Sequence, residues 1–241
     1  MIPYGRQTIT EEDIAAVSEA LRSDWLTTGP IVAEFEKAIT DITGAKHAIA
    51  VNNASSALHL ATLAAGLGEG DRLVTSPNTF VASANCAAYV GATPDFADID
   101  PITYSLCPDH LEQSWQPDTR AVVAVDYAGQ AADMPAISEL AQARGAWVIE
   151  DAAHAVGGCF DHDGKTWHIG NHPWADMTVF SFHPVKIVTA GEGGMLVTNN
   201  DELAERARDL RTNAVMRDPV RFKGLGAAEF GEQGPWYYEM Q

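Results

Sequence analysis

Very little in this sequence is basic, sulfur-bearing or uninterruptedly apolar. Lys and Arg number 15 against 33 Asp and Glu, so the 241 residues carry a formal net charge of -18. Such a chain has no surplus of cations to neutralise phosphates, which argues against nucleic acid as a partner. A small phosphorylated ligand is still open to it, because amide N–H groups at a helix start hold phosphate whatever the global charge. The three cysteines, Cys86, Cys107 and Cys159, are odd in number and widely spaced. They make neither a disulfide framework nor a paired zinc pattern, and predict a reducing, cytoplasmic home. No run has the length of apolar sequence that spans a bilayer, so no membrane association is expected. The opening MIPYGRQTITEED lacks the apolar stretch of a signal peptide.

What is present is alternation. Short β-branched runs at 47–52, 72–76, 94–98, 121–126, 146–150, 176–181 and 194–198 read as strands. Amphipathic stretches at 11–22, 31–43, 55–66, 79–90, 134–144 and 201–211 read as helices, the first starting after Thr10 and the second after Pro30. The pattern predicts an α/β fold: a mostly parallel, roughly seven-stranded sheet with helices on both faces. Its organisation reads as an N-terminal helix and arm over 1–30, a ligand-binding large domain over 31–216, and an irregular tail over 217–241. That tail loses periodicity and reads as leading into a further subdomain that the chain does not contain. Sheets of this kind bind ligands at the carboxyl ends of their strands.

Three strand ends carry polar chemistry. After 47–52 comes NNASSALHL, where small residues open a helix; the turn suits either an anion or an ordinary cap by Asn53 or Ser55. After 146–150 comes the run Glu150, Asp151, Ala152, Ala153, His154. An aspartate at the end of a buried strand ionises at a cost unless something cationic meets it; the alternative is a capped turn. After 176–181 comes SFHPVKIVTAGEGG, where Pro184 and the glycines forbid a regular helix and leave Lys186 in a constrained loop. A single lysine is ordinarily a solvated charge. Beside a phosphate cradle and a buried acid it is instead one of the parts a pyridoxal cofactor requires, an amine poised for a Schiff base.

The segments LTTGPIVAEFE, NNASSALHLATLAAGLGEGD, SPNTFVASANCAAYVGATPDFADID, VDYAGQAADM, IEDAAHAVGG and FSFHPVKIVTAGEGGMLVTN resemble, in order, those of the DegT/DnrJ/StrS sugar aminotransferases. These belong to the aspartate-aminotransferase fold group. The resemblance implies pyridoxal 5'-phosphate as cofactor, anchored covalently on Lys186. It implies Asp151 at the pyridine nitrogen, His154 near the ring hydroxyl and Phe80 stacked on the ring. Ala54 and Ser55 would hold the phosphate, joined by Ser181. The usual Gly-Thr of the phosphate turn is Ala54-Ser55 here. In the family a segment resembling F-N-Y-R follows soon after the point where this chain stops; its asparagine reaches the neighbouring subunit's cofactor, and a C-terminal subdomain comes next. A homodimer is the implied assembly.

IPYGRQ, SDWLTTGP and DYAGQ in place of the commoner HLYGQ look most like the C4-aminotransferases of pseudaminic acid biosynthesis. That implies transfer of the amino group of L-glutamate to the C4 ketone of a UDP-linked 4-keto-6-deoxy-N-acetylhexosamine. Other nucleotide-linked keto sugars stay open, as does a cofactor-binding domain without activity. Relatives that dehydrate the sugar replace the lysine by histidine, so Lys186 opposes that chemistry. Asp161, His162, Asp163, His168 and His172 crowd one stretch, but their spacing matches no zinc pattern and reads as a polar hairpin and loop; no metal is expected. Arg6, Arg217, Arg221 and Lys223 are candidates to meet a diphosphate, and Thr27, Thr28 and Gly29 to line an entrance.

Overall fold

The computed structural model describes residues 5–216 together with Arg221, Glu239 and Met240. Helix α1 (Glu11–Arg22) opens on a reciprocal capping box in which Thr10 and Asp13 each satisfy the other's amide. Helix α2 (Pro30–Thr43) begins with proline at its first turn and ends on Gly44 in the left-handed region. Then follow β1 (His47–Val51), α3 (Ala54–Ala65), β2 (Arg72–Thr75), α4 (Ala82–Tyr89), β3 (Thr93–Phe96), α5 (Pro108–Ser114) and β4 (Thr119–Val125). A short 3-10 turn (Tyr127–Gly129) leads to α6 (Met134–Gln142), β5 (Trp147–Asp151) and the hairpin β6 (Cys159–His162) and β7 (Lys165–His168). The last elements are β8 (Met177–Ser181), β9 (Gly194–Thr198), α7 (Asp201–Arg211), β10 (Val215–Met216) and β11 (Glu239–Met240).

Seven strands form one sheet in the order β1-β9-β8-β5-β4-β2-β3, and each of the seven expected strands is among them. All pairings are parallel except those of β9, which runs against both β1 and β8. The reason lies in the connection: the glycine-bearing loop between β8 and β9 carries no crossover helix, and without one the chain can only turn back. Strand β4 is a continuous apolar run because both its faces are covered. Ala121, Val123 and Val125 meet the side that holds α3, α4 and α7; Val122 and Ala124 meet α5 and α6. A further cluster packs Ile39 of α2 on Ala48, Phe180, Met195 and Val197.

Two helices depart from expectation. The one expected over 79–90 begins only at Ala82, because Ser76–Val81 is held as a loop in which Asn78 Nδ2 donates to the Tyr104 carbonyl. Helix α5 was not readable: it has 7 residues and buries only Leu111, too little to set a period. No helix among the described residues is long and apolar enough to cross a membrane. Of the tail expected from 217, only Arg221, Glu239 and Met240 are described; Arg217 and Lys223 lie outside the described residues.

Strand direction decides what meets. The carboxyl ends of β1, β2, β4, β5 and β8 all reach one edge, where the amino end of β9 joins them.

Candidate active site

At that edge the start of α3 is shaped first. Asn53 caps it: its Oδ1 accepts from Ser56 N at 2.8 Å and its carbonyl from Ala57 N at 3.1 Å. The amides of Ala54 and Ser55, the first two helical residues, have no intrahelical acceptor and sit at the positive end of the helix dipole. Capping and anion binding are therefore not rivals here, since they use different N–H groups. Gly194 of β9 lies directly beneath; a Cβ there would stand 2.6 Å from Ala54 N and closer still to the Asn53 carbonyl. Only glycine lets the strand come this near the turn.

Asp151 ends β5 and is 5% exposed. Ser83 Oγ donates to its Oδ2 at 2.6 Å and Ala153 N to its Oδ1 at 3.2 Å. Desolvation raises its pKa, opposed by those two hydrogen bonds and by the nearby His154 and Lys186. A buried carboxylate with so little compensation is a site that favours a cation.

Lys186 lies in the loop between β8 and β9, whose shape comes from backbone bonds: Lys186 N donates to His183 O, Ala190 N to Phe182 O, and Phe182 N to Gly193 O, each at 2.9 Å. Burial lowers the pKa of the Lys186 amine, with Asp151 opposing. His154 is lowered too, by burial first and by Lys186 second. Both shifts favour neutral, nucleophilic or proton-accepting forms.

These groups converge. A cleft of about 320 Å³ is lined by Ala54, Ser55, Phe80, Asp151, His154, Ser181 and Lys186, the seven residues that the family resemblance implied for the cofactor. Phe80 is 71% exposed, an aromatic face offered to the cleft. Ser181, buried at the end of β8, accepts from His183 N at 3.5 Å. Sequence reasoning missed Ser83, Thr79, His183, Glu192 and Gly194. Ser83 contacts Asp151 across 68 residues of chain, so no local spacing signals it.

Other candidates lie elsewhere. Thr27, Thr28 and Gly29 are not among the cleft's lining residues, whereas Arg6 lines an adjoining hollow of about 920 Å³ between α1 and the lysine loop. Arg221 is paired with Glu205 and Asp209. The acid- and histidine-rich stretch forms the β6–β7 hairpin, Thr166 donating to Asp161, while His172 turns inward to Glu150. Among the described residues no three His, Cys, Asp or Glu side chains converge as a metal would need.

The cleft thus offers an anion-binding helix end, an aromatic face, an amine of lowered pKa and a buried acid, a set suited to a phosphorylated aromatic aldehyde. Solved structures similar to it include sugar aminotransferases. Over 99% of the chain it superposes on Helicobacter pylori PseC, an aminotransferase involved in pseudaminic acid biosynthesis, with a TM-score of 0.84, 30% identity and 59% of that chain covered. The sugar aminotransferase Spr1654 of Streptococcus pneumoniae, described as putative and solved in its pyridoxal-phosphate form, gives a TM-score of 0.84 at 26% identity over 99% of this chain and 60% of that one. The protein belongs to the DegT/DnrJ/EryC1/StrS aminotransferase family, whose profile matches residues 7–232. The spore coat polysaccharide biosynthesis protein SpsC of Bacillus subtilis is 43% identical over 240 residues, all of this chain and 58% of its own length. The chain therefore spans a little under three fifths of these relatives.

Proposed function

We propose that the chain, as residues 31–216 of its fold, carries the cofactor of a pyridoxal-phosphate aminotransferase acting on a nucleotide-linked keto sugar. The observation that carries this is the convergence of Lys186, Asp151 and the free amides of Ala54 and Ser55 on one cleft. When bound, the cofactor supplies an aldehyde and an electron-accepting ring, the chemistry by which an amino group leaves one molecule and enters another. Lys186 would anchor it, and its amine, whose pKa burial lowers, would remove and return a proton at the reacting carbon. Asp151 would hold a proton on the ring nitrogen. Ala54, Ser55 and Ser181 would take the phosphate, Phe80 would cover one ring face, and His154 would stand by the ring hydroxyl.

The finer reading is a donor L-glutamate and an acceptor UDP-linked 4-keto-6-deoxy-N-acetylhexosamine, aminated at C4 in a cytoplasmic homodimer. Likeness to PseC supports the sugar, and the unpaired cysteines support the compartment. Ile14, Val17 and Leu21 on α1, a helix that buries nothing in the single chain, support a second copy. A second reading, another nucleotide-linked keto sugar, is favoured by the greater identity to SpsC than to PseC.

The test is to add pyridoxal phosphate to the purified protein and to Lys186→Ala. A visible band in the first and none in the second is expected; equal spectra overturn the assignment. Glutamate-dependent amination of UDP-linked against TDP-linked keto sugars then decides the substrate.

A further inference from the structure

Behind Asp151, on the opposite face of the sheet, lies a second set of polar groups that the proposed chemistry does not use. Asp126 follows β4, Glu150 precedes Asp151 in β5, and Thr178 sits in β8; side-chain alternation puts them side by side on the face of Val122, Ala124 and Val148. Asp126 and Glu150 are both 0% exposed, and the side chain of His172 reaches Glu150 from the loop before β8, itself fully buried.

The hydrogen bonds fix most of the protons. Trp174 N donates to His172 Nδ1 at 3.3 Å, so that nitrogen is an acceptor and the ring is neutral with its proton on Nε2. His172 Nε2 then donates to Glu150 Oε1 at 2.9 Å, and Thr178 Oγ1 donates to Glu150 Oε2 at 2.7 Å. Two donors aimed at one carboxyl group favour its ionised form. Among the described residues no Lys or Arg side chain pairs with either acid to balance a second negative charge. Yet Asp126 is there, its Oδ1 accepting from Ala132 N at 3.0 Å and its Oδ2 buried with no donor. A buried carboxylate oxygen without a donor is costly, whereas a carboxylic O–H beside Glu150 is satisfied at once. Burial and Glu150 both push the Asp126 pKa well up.

We propose that Asp126 is a protonated acid that donates to an ionised Glu150, and that this buried triad with His172 houses its proton on the far face of the sheet and leaves Asp151 to meet the cleft ionised. Three carboxyl groups, Asp126, Glu150 and Asp151, crowd the ends of two neighbouring strands. Asp126 is also tied to Asp151 by the backbone, its N–H donating to the Asp151 carbonyl at 3.1 Å. With the proton housed on the far face, Asp151 meets the cleft as a carboxylate. Asp126 is a positioning residue: it touches no ligand and acts through Asp151. The inference rests on the role proposed for Asp151, but its test is read on the protein without cofactor, so a failure of either reading leaves the other measurable.

Infrared difference spectra between the protein and its Asp126→Asn variant at neutral pH are the test. Asparagine can keep both contacts, its amide donating to Glu150 and its carbonyl accepting from Ala132 N. The protein is expected to show one buried carboxylic-acid band that disappears in D126N and persists in Asp151→Asn. A band absent from the parent protein, or lost in D151N and kept in D126N, overturns the proposal. Should a variant not fold, carboxyl NMR of aspartate-labelled parent protein reads the same point. An Asp126 resonance that stays protonated through the neutral range is expected, and one that is ionised there overturns it.

Discussion

Ser83 Oγ lies 2.6 Å from Asp151 Oδ2, joining helix α4 to the end of β5. Thr79 Oγ1 lies 2.7 Å from the same Ser83 oxygen. A serine hydroxyl has one proton, and Ser83 spends it on the carboxylate, so Thr79 must donate to Ser83. The chain of donors runs inward from the loop after β2 and ends on the acid, which is how one loop reports on the charge at another.

Ser83→Ala removes the donor and leaves Oδ2 buried and bare. A hydrogen bond to a charged group is worth about 1.5–3 kcal/mol, and that loss is expected at neutral pH. The sign with pH follows from the raised pKa of Asp151. For an acid whose folded pKa is raised, the protonated form favours the fold, and that stability is lost as pH rises through the folded value. Losing Ser83 raises the pKa further, so the deficit of the variant is expected to be smallest in acid, where Asp151 is protonated in both proteins, and to grow as pH rises through the raised folded pKa of the parent. Denaturant unfolding across pH measures this; a deficit independent of pH would mean that Ser83 acts through packing alone.

Lys186 gives the opposite dependence. Its pKa is lowered in the fold from 10.5, so the charged form destabilises the native state wherever the lysine is protonated. Lys186→Met, which keeps the stem without the charge, is expected to be the more stable protein at neutral pH. Its advantage should shrink as pH rises toward 10.5. Parallel thermal melts of the cofactor-free proteins test it; a constant difference, or a less stable variant, contradicts a pKa lowered by burial.

Much of this was legible beforehand because period and punctuation are local. Strand β4 announces itself by the run AVVAV from Ala121, and α2 by Pro30 at its start. The Ala54-Ser55 turn, Asp151 and Lys186 were legible because each follows a strand end in the chain, while Phe80, His154 and Ser181 came from the family resemblance. Ser83, Gly194 and the Asp126–Glu150–His172 group were not legible, because their meaning arises only when distant segments meet. Gly194 in the sequence is one of several loop glycines; beneath Asn53 it is a contact that no other residue fits. Asp126 reads only as the last residue of the 121–126 strand until the fold shuts it away from water.

Phe80→Ala separates ligand binding from folding. The ring is 71% exposed in the single chain, so truncation should change unfolding free energy by no more than about 0.5 kcal/mol. Stacking on an aromatic ligand is worth about 0.5–1.5 kcal/mol beyond burial, so pyridoxal phosphate is expected to bind roughly 2- to 12-fold more weakly. Fluorescence titration against denaturation on the same samples checks both. Equal affinity would remove Phe80 from the ring face, and a large loss of stability would make it part of the core.

Gly194→Ala tests the cradle itself. Gly194 pairs with Val51 of β1 and Ser181 of β8, so the strand cannot swing away without breaking ladders on both sides. The added methyl must therefore displace Asn53 and Ala54, whose backbone it would meet at distances no real Cβ tolerates. Overpacking of this kind costs about 1–3 kcal/mol of stability. The displaced peptide opens α3, so the amides of Ala54 and Ser55 move with it, and phosphate affinity should fall together with stability. Free inorganic phosphate, titrated by calorimetry into the parent and the variant, isolates the cradle from Lys186 and the ring contacts. Weaker phosphate binding in the variant is the expected result; unchanged phosphate binding would move the anion site away from the start of α3.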